Sequence, residues 1–325
     1  MLSFMKLPKT LKEFGWELPR NFLGLDDDAS DFDKARVVIL PVPYEATTSY
    51  GAGTGAGPEA IIEASRYIEL YDQELDQEPY DVGIATLPAL ELTGAGPEAA
   101  IWELRQAYDA IVDAGTGKFV IALGGEHSIS SAPILSWVER MKGERLSVLQ
   151  FDAHTDLRHE YEGSPYSHAA VMHRVHENVD LVAVGIRALT RDERELARRS
   201  NNIHLFLADD IHTGDAWMDD VMSKLGPNVY ISFDVDGFDP SLVPATGTPE
   251  PGGLQWYPVM KLLRRVFKER NVVSADVVEL APIPGLAAPD EAWARSLVPD
   301  AAGRTPAGTA RAKTTSKPSA APGRA

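Results

Sequence analysis

The sequence predicts an α/β protein built on a mostly parallel sheet. Two observations carry this. Apolar, β-branched runs alternate with segments of helical spacing, and βα units of that kind pair into a parallel sheet with helices on both faces. Three of the runs end in short clusters of carboxylates and imidazoles: Gly124-Gly125-Glu126-His127, Asp152-Ala153-His154-Thr155-Asp156 and Asp234-Val235-Asp236. In open α/β sheets, ligands bind where strands end.

The elements follow in order. Residues 1–33 form a polar, Asp-rich lead-in, and residues 34–299 form the domain. Arg36 to Val42 reads as the first core strand. A Gly-rich loop from Ser49 to Pro58 leads into a helix over Glu59 to Leu70, with Pro58 suited to its first turn. Trp102 to Asp113 reads as the next helix. From Phe119 the text alternates. Strand 119–123 precedes a helix over Ser130–Met141, and strand 146–151 precedes a helix near Ala169–His176. Strand 181–185 precedes the charged helix Arg191–Arg199, and a short strand over Ile203–Phe206 precedes a helix around 216–225. Strand 229–233 precedes a long Pro/Gly-stiffened loop and the helix Tyr257–Lys268. Strand Val272–Val278 closes the series. Residues 300–325 are rich in Ala, Pro, Gly, Thr, Ser and basic side chains, without apolar periodicity. Such a segment buries too little surface to offset chain ordering, so a disordered tail is expected. A helix starting near Asp290 is stopped early by Pro299.

Composition excludes several classes. There is no cysteine, which removes disulfides, thiolate metal sites and cysteine nucleophiles. The net charge of −17 argues against a nucleic-acid partner and favours cations. No run approaches the roughly 20 apolar residues of a membrane span, and no secretory signal is evident, so no membrane partner and a cytoplasmic location are expected.

The clusters predict a metal site. If the strand continued through Asp152, His154 and Asp156, alternate residues would share one side, about 7 Å apart. Asp234 and Asp236 repeat the device on a second strand, and His127 adds a nitrogen from a third. A lone Asp-x-Asp is usually a solvated turn. Three clusters at three strand ends would repel one another unless a cation held them. Four carboxylates with two imidazoles suit Mn²⁺ best, because zinc sites hold fewer carboxylates and Mg²⁺ rarely takes His. Two ions sharing a site need bridging ligands, for which Asp152 and Asp234 are the candidates, and water trapped between them ionises near neutral pH.

Taken together, these residues resemble the ureohydrolase family: arginase, agmatinase and relatives. The resemblance rests on Gly124 to Ile129, Phe151 to Asp156, and Ser232 to Pro240. It continues through Thr246-Gly247-Thr248-Pro249 to Gly252-Gly253, with small departures at Val243 and Ala245. It runs from about Lys34 to Pro284. It implies a three-layer α/β/α fold with a parallel sheet of about eight strands, and a homo-oligomer, trimer or hexamer. It implies two Mn²⁺ per chain, one held by His127, Asp152, Asp156 and Asp234, the other by Asp152, His154, Asp234 and Asp236. His168 matches the family's mobile proton-transfer His, and Glu279 its guanidinium-binding Glu. Asp156 would orient a metal-bridging hydroxide. His159, His173, His176, His204 and His212 match no motif and are expected to be structural or exposed.

The resemblance also bears on substrate, expected to be a small cationic guanidino compound. Arginases read the α-groups of arginine partly with an Asn two residues after the second cluster. Here that position is Arg158. Leu157 to Gly163 with Tyr166-Ser167-His168, and Val184 to Arg187 before Arg191-Asp192-Glu193, look like the agmatinase branch. The expectation is agmatine hydrolysis to putrescine and urea. Guanidinobutyrate, guanidinopropionate or arginine as substrate stay open, as does an inactive metal-binding relative with an atypical C-terminus. A one-zinc deacetylase of related fold is disfavoured by the lack of a His-His pair.

Overall fold

A computed structural model of the chain describes residues 17–285. Eight strands form one sheet: β1 (Val37–Val42), β2 (Ile84–Thr86), β3 (Phe119–Gly124), β4 (Leu146–Phe151), β5 (Val179–Ile186), β6 (Ile203–Leu207), β7 (Asn228–Asp234) and β8 (Asn271–Val278). Their order is β2-β1-β3-β8-β7-β4-β5-β6, and every pairing is parallel. The chain leaves β3, builds β4 to β6 on the far side, then returns to lay β7 and β8 in the gap. The four central strands, β3, β8, β7 and β4, are therefore neighbours, and all three predicted clusters lie at their carboxyl ends.

The strands alternate between two buried faces. In β1, Val37 and Ile39 enter one apolar cluster while Val38, Leu40 and Val42 enter another. In β4, Leu149 and Phe151 point to the first face and Leu146 and Val148 to the opposite one. Burial on both faces explains why these strands read as continuous apolar runs. Helices α1 (Gly57–Ser65), α6 (Ala208–Ile211), α7 (Trp217–Lys224) and α8 (Trp256–Glu269) cover the first face. Helices α2 (Pro97–Ala114), α3 (Ser131–Arg140), α4 (Val171–Val175) and α5 (Arg191–Arg199) cover the other. The result is the expected three-layer α/β/α fold.

Differences from the sequence reading are local. β2 was not read, because three residues carry no periodicity. The helix expected to reach Leu70 stops at Ser65, where Ser65 Oγ bonds back to Ile62 O and accepts Leu23 N–H at 2.8 Å. That contact ties in the end of the polar lead-in, whose Phe22, Leu23 and Leu25 are buried in the core. Pro97 in the first turn starts α2 earlier than Trp102. α5 opens on a capping box, Thr190 with Glu193. The tail at 300–325 and the helix expected near Asp290 lie outside the described residues. Among the described residues, no helix is long and apolar enough to cross a membrane.

Candidate metal centre and substrate cavity

The three clusters converge, but not by strand alternation. β4 ends at Phe151, and Asp152 to Asp156 form an irregular loop rather than a continued strand. Asp156 sits in the left-handed region at φ 51°, an uncommon conformation for a non-glycine residue. The loop is held by cross-bonds. Ala153 N–H donates to Asp236 Oδ1 at 3.0 Å, and Ala153 O accepts Arg187 and Ala188 N–H at 2.8 and 2.9 Å. Thr155 Oγ1 donates to buried Glu193 at 2.9 Å. Asp234 ends β7 and accepts Asp236 N–H at 2.9 Å, opening a short 3-10 turn over Val235–Gly237. The backbones pack closely here: a Cβ on Gly237 would lie 2.8 Å from Asp152 N, and one on Gly125 would lie 2.1 Å from Tyr44 O. Only glycine fits either approach.

His127 is the hub. Its buried Nδ1 stands 3.2 Å from Asp152 Oδ2, 3.0 Å from Asp156 Oδ2 and 3.3 Å from Asp234 Oδ2. None of these contacts has hydrogen-bond geometry, so Nδ1 is a buried polar atom without a partner. His154 Nδ1 lies 3.0 Å from Asp236 Oδ2 and 3.6 Å from Asp152 Oδ1. Two sets of atoms close enough to share an ion result: His127, Asp152 and Asp234, and Asp152, His154 and Asp236. Asp152 belongs to both, and Asp156 joins the first through its contact with His127.

The electrostatics suit a bound cation. Burial, then the charges of Asp236 and Asp152, push the Asp234 carboxyl well above the usual carboxylate range. Burial and then Asp152 push up Asp156. Burial drives the two imidazoles down, but the carboxylates outweigh it, holding His127 well above its ordinary value and His154 up to about 12. Four buried carboxylates close on two imidazoles, and their negative charge favours a cation. Nitrogen and oxygen donors that converge in this way are what a metal centre requires.

The back of His127 fixes its tautomer. Nε2 lies 2.9 Å from Ser232 Oγ, whose own proton goes to buried Asp276 Oδ1 at 2.9 Å. Tyr230 OH donates to the other Asp276 oxygen at 2.7 Å. Since the Ser232 proton is committed, Nε2–H donates to Ser232, so in the neutral imidazole the lone pair falls on Nδ1. Ser232 and Asp276 are register partners on β7 and β8, which no spacing in the sequence reveals. Their one signal was a polar residue inside each of two apolar runs. Sequence reasoning placed Arg187 in a branch-like stretch but gave it no role. Its guanidinium donates to the carbonyls of Gly185, Asp236, Gly237, Phe238 and Glu250, pinning the loop after β7 behind the centre.

A cavity of about 310 Å³ opens onto the cluster, and His154, Asp156, Asp234, Asp236, His168 and Glu279 line it. Every predicted site residue thus lies in the cavity or, for His127 and Asp152, immediately behind it. Glu279 has φ 66°, and its Oε1 accepts His127 N–H at 2.7 Å. Burial pushes its carboxyl up to about 8, against the pull of the His127 N–H. Arg158 also lines the cavity and lays its guanidinium over Tyr161, 4.9 Å from the ring centroid. Glu126, inside the first motif, turns away from the cluster. Of the unmatched histidines, His159, His173 and His176 lie in a row, the first pair edge to face and the second tilted, with centroids 5.2 and 4.9 Å apart.

A parallel three-layer fold whose strand-end cavity meets two carboxylate–imidazole clusters has the architecture of a candidate two-metal centre. Comparison with known proteins makes this specific. Residues 35–297 match the sequence profile of the Arginase family. The N(1)-aminopropylagmatine ureohydrolase of Synechocystis sp. is 39% identical over 274 residues, covering 82% of this chain and 88% of that protein. The agmatinase of Pyrococcus horikoshii is 35% identical, covering 84% and 90%. The crystal structure of agmatine ureohydrolase from Thermoplasma volcanium superposes with a TM-score of 0.75 at 27% identity, covering 91% of this chain and 97% of that one. The chain belongs to the arginase family, and it is a hydrolase of the ureohydrolase type.

Proposed function

We propose that this protein releases urea from the guanidino end of an agmatine-type cation, with two Mn²⁺ ions as cofactor. The observation that carries the reading is His127 Nδ1, bare and buried among three Asp carboxylates beside a cavity that also holds Glu279. The donor set fits the ions. His127, Asp152, Asp156 and Asp234 would hold one, and Asp152, His154, Asp234 and Asp236 the other. Oxygen-rich sites with imidazole suit Mn²⁺. When bound, the ions would supply Lewis-acid activation of water.

The chain's own residues do the rest. Only Oε1 of Glu279 is engaged among the described residues, by His127 N–H, so Oε2 is available to the substrate guanidinium. A cation there also favours the ionised carboxylate against burial. Asp156, at the cluster's edge in the cavity, orients the attacking water. Water adds to the guanidino carbon, the C–N bond to the alkyl amine breaks, and His168 delivers a proton to the departing amine. The products are urea and a polyamine.

Two tails fit the same head. Higher identity to the Synechocystis relative than to the agmatinase favours agmatine bearing an N(1)-aminopropyl extension, which would yield spermidine. Agmatine itself would yield putrescine. A second reading rests on Arg158. Its guanidinium meets an aromatic ring rather than a carboxylate, so it suits the acid group of guanidinobutyrate or guanidinopropionate. Urea release by the Mn²⁺-loaded protein from these four compounds and arginine is the test. Fastest turnover of an agmatine-type cation supports the reading, and fastest turnover of a guanidino acid or arginine replaces it. The homo-oligomer implied by the resemblance belongs to the same proposal.

A further inference from the structure

Glu126 is a fully buried carboxylate within the ligand motif that takes no part in the cluster. Its oxygens are occupied elsewhere. Oε2 accepts the N–H groups of Ala46 and Thr47, both at 2.6 Å, and Oε1 accepts the hydroxyls of Thr47 and Ser128 at 2.7 and 2.5 Å. The same loop is clamped by backbone, since Glu126 N–H donates to Tyr44 O at 2.9 Å. Glu126 therefore fixes where Thr47 sits and where its hydroxyl proton points.

Thr47 in turn faces His168. Its Oγ1 accepts His168 N–H at 3.0 Å and lies 3.3 Å from His168 Nδ1. A hydroxyl has one proton to give. That proton goes to Glu126, so Thr47 meets the ring only as an acceptor, which requires hydrogen on Nδ1. Ser167 Oγ stands equally far from Nδ1, but it has no second partner among the described residues, so it is free to adapt to either tautomer. The remaining ring nitrogen, Nε2, is then the one that exchanges protons with the cavity.

We propose that Thr47, held by Glu126, is a positioning residue that sets the tautomer and orientation of His168. The inference rests on the reading of His168 as the proton donor to the leaving amine. Its logic is that of a buried acid orienting a histidine, with a hydroxyl interposed.

The test compares Thr47→Val, Thr47→Ser, His168→Ala and the Thr47→Val/His168→Ala double variant as full-length, Mn²⁺-loaded proteins. kcat, KM and bound metal are measured on the best substrate found. Thr47→Val is expected to lower kcat about tenfold, the rate equivalent of about one hydrogen bond, with KM and metal content unchanged. Thr47→Ser is expected to restore the rate. In the His168→Ala background, Thr47→Val is expected to cost nothing more, because coupled residues are not additive. If His168→Ala slows turnover but Thr47→Val does not, the positioning role is wrong. If Thr47→Val costs as much with His168 absent as present, Thr47 merely supports the loop. If His168→Ala itself leaves the rate unchanged, the reading of His168 fails and this inference falls with it.

Discussion

Glu126 and His127 are adjacent in sequence and equally buried, yet the regions around them are built on opposite principles. Around Glu126 every contact is a hydrogen bond from a donor to a carboxylate, four in all. Around His127 Nδ1 three carboxylate oxygens crowd within 3.3 Å and none is bonded. A saturated buried acid holds architecture together, because each donor offsets its desolvation. An unsaturated cluster of acids strains the fold unless a cation arrives. Burial alone therefore does not distinguish a structural carboxylate from a functional one; the protons around it do.

Substitution should separate the two regions. The largest effect is expected for Asp234→Asn. Urea release should fall to background because the ligand set is broken, while the metal-free variant should melt no lower than the metal-free wild type, since one of several repelling carboxylates has gone. Calorimetry of both metal-free proteins checks this, and a large loss of Tm would mean that Asp234 is architectural. Glu126→Gln should behave the other way. An amide turns its NH₂ toward donors, leaving buried groups unsatisfied at a cost of about 1–3 kcal/mol, so Tm falls while metal content stays. Loss of metal without loss of Tm would dissolve the contrast.

The third test is a pH slope. Burial raises the folded Glu279 pKa from 4.5 to about 8 in the metal-free protein. The folded state then binds the proton more tightly than the unfolded chain does. This group's destabilising contribution is absent below about 4.5, grows as pH rises, and is complete above about 8. Denaturant midpoints of the metal-free protein should decline across that window, and Glu279→Gln should flatten the decline. An unchanged slope would show that Glu279 ionises freely.

Much of this was legible in the sequence, for identifiable reasons. The central strands announced themselves as apolar runs because both faces of the sheet are covered. The ligand clusters stood out because acids and imidazoles ended those runs. What failed was the inference that strand alternation gathers Asp152, His154 and Asp156: a left-handed turn at Asp156 and cross-bonds from Asp236 and Glu193 do so instead. The structural role of Glu126 was hidden because a partner that saturates it, Thr47, lies 79 residues away. The pairing of Ser232 with Asp276 exists only once β7 lies beside β8.

The central claim is that the unbonded cluster around His127 and His154 is a binuclear cation site. Bound manganese per chain, measured by elemental analysis after equilibration with Mn²⁺ and removal of excess, tests it most directly. Two ions per chain, lost in Asp234→Asn and kept in Glu126→Gln, is the predicted result. A wild-type protein that retains none would contradict it.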